Sequence, residues 1–422
     1  MSAEASVVIT GLGVVSPLGL GYQAAWDSLL AGRTGLRRIT QFDPAHLRSS
    51  IAGEVVDFDP AEYVKPRKSL KVMARDAQFT VAAAGMARDH AALGVEQVDP
   101  ERFGVLFGGG VIRSPLEVVA APYAACVDDE GVYEFERWGT AGLSACFPLG
   151  MLKLLPNMLA CHISITHDAR GPNNTICQGD ASGLGALGEA LRVIQRGQAD
   201  VMFAGGAASR LNAYDLLRLQ IAEEVTPCDD PLQACRPFDV ARDGQLMGEG
   251  AAALLLENRV LAERRGAKIL GELVGFGTAG EQITEAKPFS GRSVRDAVAR
   301  AVADSKLRPD EIGFIVAHGL GTRAGDRAEA EALHAALPGR AVVGWKGYTG
   351  CLGSADGAVA AALAVVALNE GRLPATLHCE RPDPECPIQV VHGAPLENFA
   401  PACVLVNYTS AGQAAAVVIA KR

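Results

Sequence analysis

A chain of 422 residues, 49% of them hydrophobic, can bury a large core in one double-lobed domain or in two domains. The low aromatic content of 5% favours helices packed tightly on sheets over an all-β design. A formal net charge of −9, with no long basic stripe to offset it, excludes a general nucleic-acid binder.

Three further features indicate where such a protein works. Ten cysteines are scattered without a CxxC pair, which predicts neither a disulfide framework nor a zinc site, and we expect no metal or other cofactor. The N-terminus lacks a secretory pattern. The longest apolar run, Gly357 to Leu368, is too short to cross a bilayer and predicts a buried helix. We therefore expect a cytoplasmic protein with no membrane contact.

Short β-rich runs alternate with Ala-rich helical stretches, a pattern typical of an α/β fold with helices on both faces of a sheet. The strand candidates, in chain order, are Val7–Thr10, Phe103–Phe107, Val201–Ala204, Ala252–Leu256, Ile269–Val274, Phe314–Ala317, Ala341–Val343 and Val404–Asn407. The alternation pauses only near Asn258 to Gly266. We expect one compact unit with two similar halves, residues 1–257 and 258–422.

A short basic cluster interrupts the otherwise acidic chain between residues 65 and 75. Its members are Lys65, Arg67, Lys68, Lys71 and Arg75. Such a cluster is usually a solvated helix face, but it also suits the docking of an acidic carrier domain. Both interpretations stay open on the sequence alone.

Asp180 lies in the stretch GPNNTICQGDASG, from Gly171 to Gly183. Thr175 to Cys177 is a short β-like run, Gly179 permits a tight turn, and Ser182 to Gln195 carries aliphatic residues at helical spacing. Asp180 is therefore predicted at or just before a helix N-terminus, where the helix dipole stabilises a carboxylate or a thiolate alike. Taken alone, this position favours an N-cap over a functional group.

The same helix start contains Gly183, Gly185 and Gly188, a GxGxxG pattern that occurs in dinucleotide-binding folds. The acidic residue expected after the next strand is absent, because Asp200 precedes the strand Val201–Ala204. We expect these glycines to let a buried helix pack closely.

His318 follows a predicted strand, in the sequence AHGLGTRAGDRAEAE. Lone histidines in such places are usually structural. Here Asp326, Glu329 and Lys346 are candidates for a network that fixes the imidazole tautomer and aims the ring.

Several long motifs in this order resemble an elongating β-ketoacyl-[acyl-carrier-protein] synthase of the synthase II kind, in the thiolase-like condensing-enzyme superfamily. They are VVITGLGVVSPLG at Val7–Gly19, RPFDVARDGQLMGEGAAALLLE at Arg236–Glu257, and the segments around His318 and Lys346. The resemblance covers nearly the whole chain. It implies two pseudo-duplicated α/β halves that form a five-layered αβαβα core.

The resemblance also assigns roles to individual residues. In the family a Cys at the strand-to-helix elbow attacks an acyl thioester, and two histidines assist decarboxylation of a malonyl unit. The motifs place those roles on Asp180, His318 and Cys351, so two of the three groups have changed. The retained supporting residues are Lys346, Asp326 and Glu329.

The C-terminal loop has changed as well. Its sequence, NYTSAGQAA at Asn407–Ala415, has Ala411 where the family has a gating Phe, followed by Gly412. We therefore expect the acyl-sensing gate to be missing. Cys177, three residues before the elbow, is a conceivable substitute nucleophile, but we expect a core cysteine there.

The family includes non-condensing members, the chain-length factors or β-subunits of type II polyketide and polyene synthases, in which Gln usually replaces the nucleophile. The altered elbow resembles these, whereas Asp180 and the retained His318 depart from them. The resemblance implies a heterodimer with a Cys-bearing ketosynthase, with a homodimer as the alternative, and contact with an acyl carrier protein directly or through that partner.

In the family, dimers meet along the strand before the elbow, and residues after it shape the acyl tunnel. Tunnel and dimer candidates in this chain are Val111, Ser114, Glu117 and Ala121, unless these are ordinary helix-surface residues.

A second hypothesis is an enzyme with altered chemistry, such as a malonyl-carrier protein decarboxylase, in which His318 acts and Asp180 positions substrate or water. Under that hypothesis the retained His318 imidazole, held in a fixed orientation, takes part in the reaction.

Overall fold

The computed structural model describes residues 6–110 and 116–421, and for residues 116 and 117 only the backbone. The strands are β1 Val7–Ser16, β2 Gly19–Leu20, β3 Leu36–Arg38, β4 Ile51–Gly53, β5 Phe103–Gly108, β6 Asn173–Ile176, β7 Val201–Ser209, β8 Glu249–Asn258, β9 Gly271–Gly280, β10 Ile312–Val316, β11 Ala341–Val343, β12 Arg372–Leu373, β13 Gln389–Val390, β14 Leu396–Glu397, β15 Ala402–Tyr408 and β16 Gln413–Ala420. The helices are α1 Tyr22–Leu30, α2 Pro60–Tyr63, α3 Arg75–His90, α4 Leu116–Ala124, α5 Ala141–Ala145, α6 Gly150–Leu154, α7 Met158–His167, α8 Ser182–Gln195, α9 Ala213–Ala222, α10 Arg259–Arg264, α11 Arg292–Ser305, α12 Arg323–Ala336, α13 Lys346–Thr349 and α14 Asp356–Glu370.

A long mixed sheet runs through the molecule in the order β13-β11-β10-β15-β16-β9-β1-β8-β7-β5-β6. It consists of two parts that meet at β1. This strand pairs along its length with β8, but with β9 only at Val8↔Glu272 and Ile9↔Gly271. The short junction lets the two parts turn away from one another, and β6 forms one outer edge of the sheet.

Helices lie on both sides of each part of the sheet. Helices α8 and α14 contact strands of both parts and lie between them, while α3 packs on the outer face of the first part and α11 on that of the second. The resulting order is helix, sheet, helix, sheet, helix, which confirms the predicted α/β class and its five layers. The predicted boundary between residues 257 and 258 stays a prediction.

The predicted strands all overlap observed ones, and the Gly357 to Leu368 run forms most of the buried helix α14. Strand β16 was not predicted because its Ala-rich start has little intrinsic preference for a strand. It forms because it is buried between β9 and β15. Across residues 6–110 and 116–421, helices are too short or too polar to span a membrane.

The glycines at the start of α8 do permit close packing. A Cβ atom on Gly183 would lie 2.8 Å from the Ser354 carbonyl oxygen, and one on Gly188 would lie 2.1 Å from the Phe276 ring. Neither approach is compatible with a larger side chain unless the neighbour moves. The GxGxxG pattern therefore has a packing explanation here.

Candidate active site

The elbow that carries Asp180 connects the edge strand β6 to the buried helix α8. A single 3-10 turn, Gly179–Ala181, joins them, and Gly179 adopts a φ of 55°, which a glycine accepts without strain. The Ser182 hydroxyl fastens the turn, because it accepts from the Gln178 N–H at 2.8 Å and donates to the Gly179 carbonyl at 2.6 Å. The predicted position of Asp180 at a helix start is confirmed.

The side chain of Asp180 does not cap that helix. The N-cap position of α8 is Ala181, and no side chain caps the helix or the turn before it. The carboxylate instead lines a cavity of about 230 Å³ together with Cys351 and Tyr408. The N-cap interpretation is therefore wrong, and Asp180 belongs to the site.

Three groups from distant parts of the chain converge on the Asp180 carboxylate. Oδ2 lies 3.5 Å from Nε2 of His318 and 3.5 Å from Sγ of Cys351, and Oδ1 lies 3.8 Å from a guanidinium nitrogen of Arg210. Burial alone would raise the pKa of Asp180, but His318, Arg210 and Lys346 together lower it to about 2. Asp180 is therefore ionised at neutral pH.

His318 is fully buried just beyond the end of β10. Its Nδ1 lies 2.7 Å from the amide nitrogen of Asn407. Because an amide nitrogen only donates, Nδ1 accepts, and the proton of the neutral ring is on Nε2, facing Asp180. Burial and the nearby Lys346 charge lower the pKa of His318, although Asp180 opposes that shift. At 3.5 Å, Nε2 is too far from the carboxylate for a strong hydrogen bond.

The two carboxylates predicted to aim His318 bind backbone N–H groups and not its ring, and only Glu329 contacts His318 itself. Glu329 accepts from the N–H groups of His318 and Gly319 at 2.7 and 2.8 Å. Asp326 accepts from those of Gly321 and Phe238 at 3.0 and 2.8 Å. Burial raises the pKa of Glu329 to about 8 and that of Asp326 to about 6. Asn407, and not a carboxylate, sets the tautomer.

Cys351 is buried between two carboxylates. Its Sγ lies 3.5 Å from Oδ2 of Asp180 and 3.3 Å from Oδ2 of Asp356. Burial, together with these two negative charges, raises the pKa of the thiol well above its usual value. Cys351 is therefore a protonated donor, not a nucleophilic thiolate.

Two residues of this site were missed in the sequence. Asp356 binds Lys346 at 3.1 Å and accepts from the N–H of Leu352 at 3.1 Å. Its only sequence signal is that it is an acidic residue within an otherwise apolar stretch, GSADGAVAAALAVVAL. Arg210 directly follows β7 and has no distinguishing motif, so only the fold brings it to Asp180.

The C-terminal loop lines the cavity through Tyr408, Thr409 and Ser410. Ala411 is exposed and lies outside the lining, whereas Gly412 is buried with a φ of 84°. A Cβ atom at Gly412 would lie 2.4 Å from the Glu281 carbonyl oxygen, which explains the glycine. The Tyr408 ring packs edge-on against His318, with centroids 4.7 Å apart.

Several predicted residues lie elsewhere. Cys177 is exposed beside the edge strand, so the expectation of a core cysteine is wrong; the strand carries it at the outer edge of the sheet. Val111 and Ser114 lie outside the described residues, as does the side chain of Glu117. Ala121 is an exposed residue of α4.

The basic cluster divides into two groups. Lys65, Arg67, Lys68 and Lys71 are exposed, on and beside the 3-10 turn Arg67–Val72. Arg75 instead donates to the fully buried carboxylate of Glu249 at 2.8 Å and lies 4.7 Å from the Phe79 ring centroid. Its guanidinium is thus committed to an internal contact.

The sequence matches known families and proteins over most of its length. Residues 4–262 match the β-ketoacyl synthase N-terminal domain, and residues 270–380 match the corresponding C-terminal domain. A 3-oxoacyl-[acyl-carrier-protein] synthase 2 of Synechocystis is 36% identical over 92% of this chain and 91% of its own. The protein of that name from Staphylococcus aureus is 31% identical over 93% and 92%.

Solved structures show the same fold. The ishigamide ketosynthase/chain length factor superposes with a TM-score of 0.87 at 27% identity and covers 100% of both chains. A β-ketoacyl synthase from Burkholderia phymatum superposes with a TM-score of 0.88 at 27% identity, over 99% of this chain and 100% of its own.

Proposed function

Because this chain belongs to the β-ketoacyl synthase family and has its thiolase-like fold, we propose that it is a non-condensing subunit, a chain-length factor, of a Cys-bearing ketosynthase. The observation that carries this proposal is the ionised carboxylate of Asp180 at the elbow, facing Arg210. The ishigamide ketosynthase/chain length factor, which has the same fold, supports it.

The chemistry of the site argues against condensation by this chain alone. Attack of a carboxylate on a thioester would form a mixed anhydride, which is higher in energy than the thioester it replaces. The Asp180 charge would also repel a malonyl carboxylate. Cys351 keeps its proton, and it supplies no second imidazole N–H.

The edge of the sheet near the elbow suits a partner. In the described residues, β6 pairs only with β5, so its other edge is available for another chain. Helix α7, which contacts β6, exposes Ile165 over 76% of its surface. Further exposed apolar side chains between residues 123 and 151 are Tyr123, Val127, Val132, Tyr133, Phe135, Leu143, Phe147, Leu149 and Met151. Apolar surface of this extent is typical of a protein interface.

We further propose, from the family resemblance alone, that the candidates Val111, Ser114, Glu117 and Ala121 help to shape the tunnel that holds the growing polyketide, polyene or fatty acyl chain. The exposed Lys65, Arg67, Lys68 and Lys71 would attract an acidic carrier protein. Arg75 is not part of that surface.

Co-expression with a Cys-bearing ketosynthase from the adjacent locus tests the pairing. We expect co-purification as a heterodimer in size-exclusion chromatography with mass determination. Ile165→Asp should weaken the complex, whereas Val260→Asp on α10, at a side chain that is 70% exposed, should leave it intact. A stable homodimer with no affinity for such a partner would overturn the proposal.

One observation favours a second function, decarboxylation of a malonyl-carrier protein. The buried His318 is held by Asn407 with its Nε2 proton toward Asp180, an arrangement suited to proton transfer or to polarising a carbonyl. The purified chain would then convert malonyl-carrier protein to acetyl-carrier protein. Absence of acetyl product, or activity unchanged in His318→Ala, would remove this function.

A further inference from the structure

Two cavities meet at Arg210. The first is the elbow cavity of about 230 Å³ that contains Asp180. The second, of about 300 Å³, includes Met73, Leu155 and Met158 in its wall. Arg210 and Asp215 line both cavities, so these two residues form the partition between them.

The guanidinium of Arg210 is held in this partition from two sides. One of its nitrogens lies 3.8 Å from Oδ1 of Asp180. On the other side, a Cβ atom at Gly353 would lie 3.5 Å from the same nitrogen and 3.7 Å from Cδ, so the side chain lies across that turn. The Arg210 and Asp180 side chains are 21% and 19% exposed, which protects their ion pair from much of the solvent screening.

An alkyl chain that crossed from one cavity to the other would have to displace this guanidinium. The displacement would leave the Asp180 carboxylate largely buried without its cation, which is costly. The second cavity would offer the alkyl chain the apolar side chains of Met73, Leu155 and Met158, although Arg75, Asp76 and Lys153 also line it.

We propose that Arg210, anchored by Asp180, is a barrier that keeps an acyl chain from passing between the elbow cavity and the second cavity. The residue is thus a specificity determinant for acyl thioesters. In a chain-length factor, such a barrier would keep the growing chain within the partner's tunnel. Retention of the growing chain in the partner's tunnel rests on the proposed function. The barrier itself does not, because residues of this chain alone form it.

Binding of S-octanoyl-pantetheine, a neutral acyl thioester, to the chain without any partner tests the barrier. By titration calorimetry we expect Arg210→Ala to bind at least about tenfold more tightly than the unchanged chain, which corresponds to about 1.4 kcal/mol. The control is Arg264→Ala, because Arg264 is an exposed arginine in the last turn of α10 and lines neither cavity. The control should bind as weakly as the unchanged chain.

Arg210→Met is the second variant, because it keeps an unbranched stem across Gly353 while it removes the charge. It should also bind S-octanoyl-pantetheine more tightly than the unchanged chain. If thermal melting shows that Arg210→Ala is unfolded, Arg210→Met is the variant that tests the proposal. Equal affinity of the unchanged chain and the folded Arg210 variants would overturn the proposal. An equal gain in Arg264→Ala would overturn it too. Neither result bears on pairing with a ketosynthase, which is measured separately.

Discussion

The ammonium group of Lys346 lies 3.1 Å from Oδ2 of Asp356, and both side chains are more than nine-tenths buried. Burial alone would lower the pKa of Lys346, but the adjacent Asp356 raises it above its usual value, so Lys346 keeps its proton. Each charge therefore depends on the other, and Asp356 also contacts Cys351. The ion pair connects α13 to α14.

Breaking this pair from one side should destabilise the protein strongly. We expect Asp356→Asn to lower the free energy of unfolding by about 3–5 kcal/mol, because it leaves a buried ammonium without its partner. The double variant Asp356→Ala with Lys346→Met should lose less than the single variant, since no charge remains buried. Urea unfolding measures both. A double variant less stable than the single one would contradict this account.

Because of Asp180, the free energy of unfolding should depend on pH. Its pKa is lowered from 3.8 to about 2 on folding, so its contribution is present above pH 4 and is lost as the pH falls toward 2. Nearly two pKa units correspond to about 2 kcal/mol. The difference in unfolding free energy between the unchanged chain and Asp180→Asn should therefore shrink over this range. A difference that does not vary with pH would show that Asp180 is not stabilised as an anion.

The elbow around Asp180 was predicted from the sequence, whereas two further residues of the site were not. The turn and helix around Asp180 were predicted because Gly179 and the aliphatic spacing of α8 are local signals. The roles of Arg210 and Asp356 were not predicted, because each residue meets its partner, Asp180 or Lys346, only in the folded chain. Cys177 was misplaced for a related reason: a short β-like run does not reveal whether it forms the edge or the centre of a sheet.

Replacing Asp180 with cysteine should produce a reactive thiol at the elbow. In a Cys177→Ser background, the tryptic peptide 171–192 of Asp180→Cys carries one thiol. Arg210, Lys346 and the start of α8 should stabilise its thiolate, so its pKa should fall below the usual value of about 8.5. The pH dependence of iodoacetamide labelling, followed by mass spectrometry, measures this pKa. The native Cys351 should stay unlabelled in the folded protein, because burial and two carboxylates keep it protonated. A midpoint at or above the usual value would mean that the site does not favour an anion at this position.

Two glycines of α8 provide a matched pair for the packing of the central layer. A Cβ atom at Gly188 would lie 2.1 Å from the Phe276 ring, whereas one at Gly185 would have its nearest neighbours at 3.4 Å, an ordinary contact. Gly188→Ala should therefore destabilise the protein by about 1–3 kcal/mol, because the ring must move within a packed layer. Gly185→Ala should be neutral or stabilising by up to about 1 kcal/mol, since alanine favours the helix. Thermal and urea unfolding of the two variants decide the point. Equal effects of the two substitutions would mean that the pattern reflects helix propensity alone and not the close approach of α8 to β9.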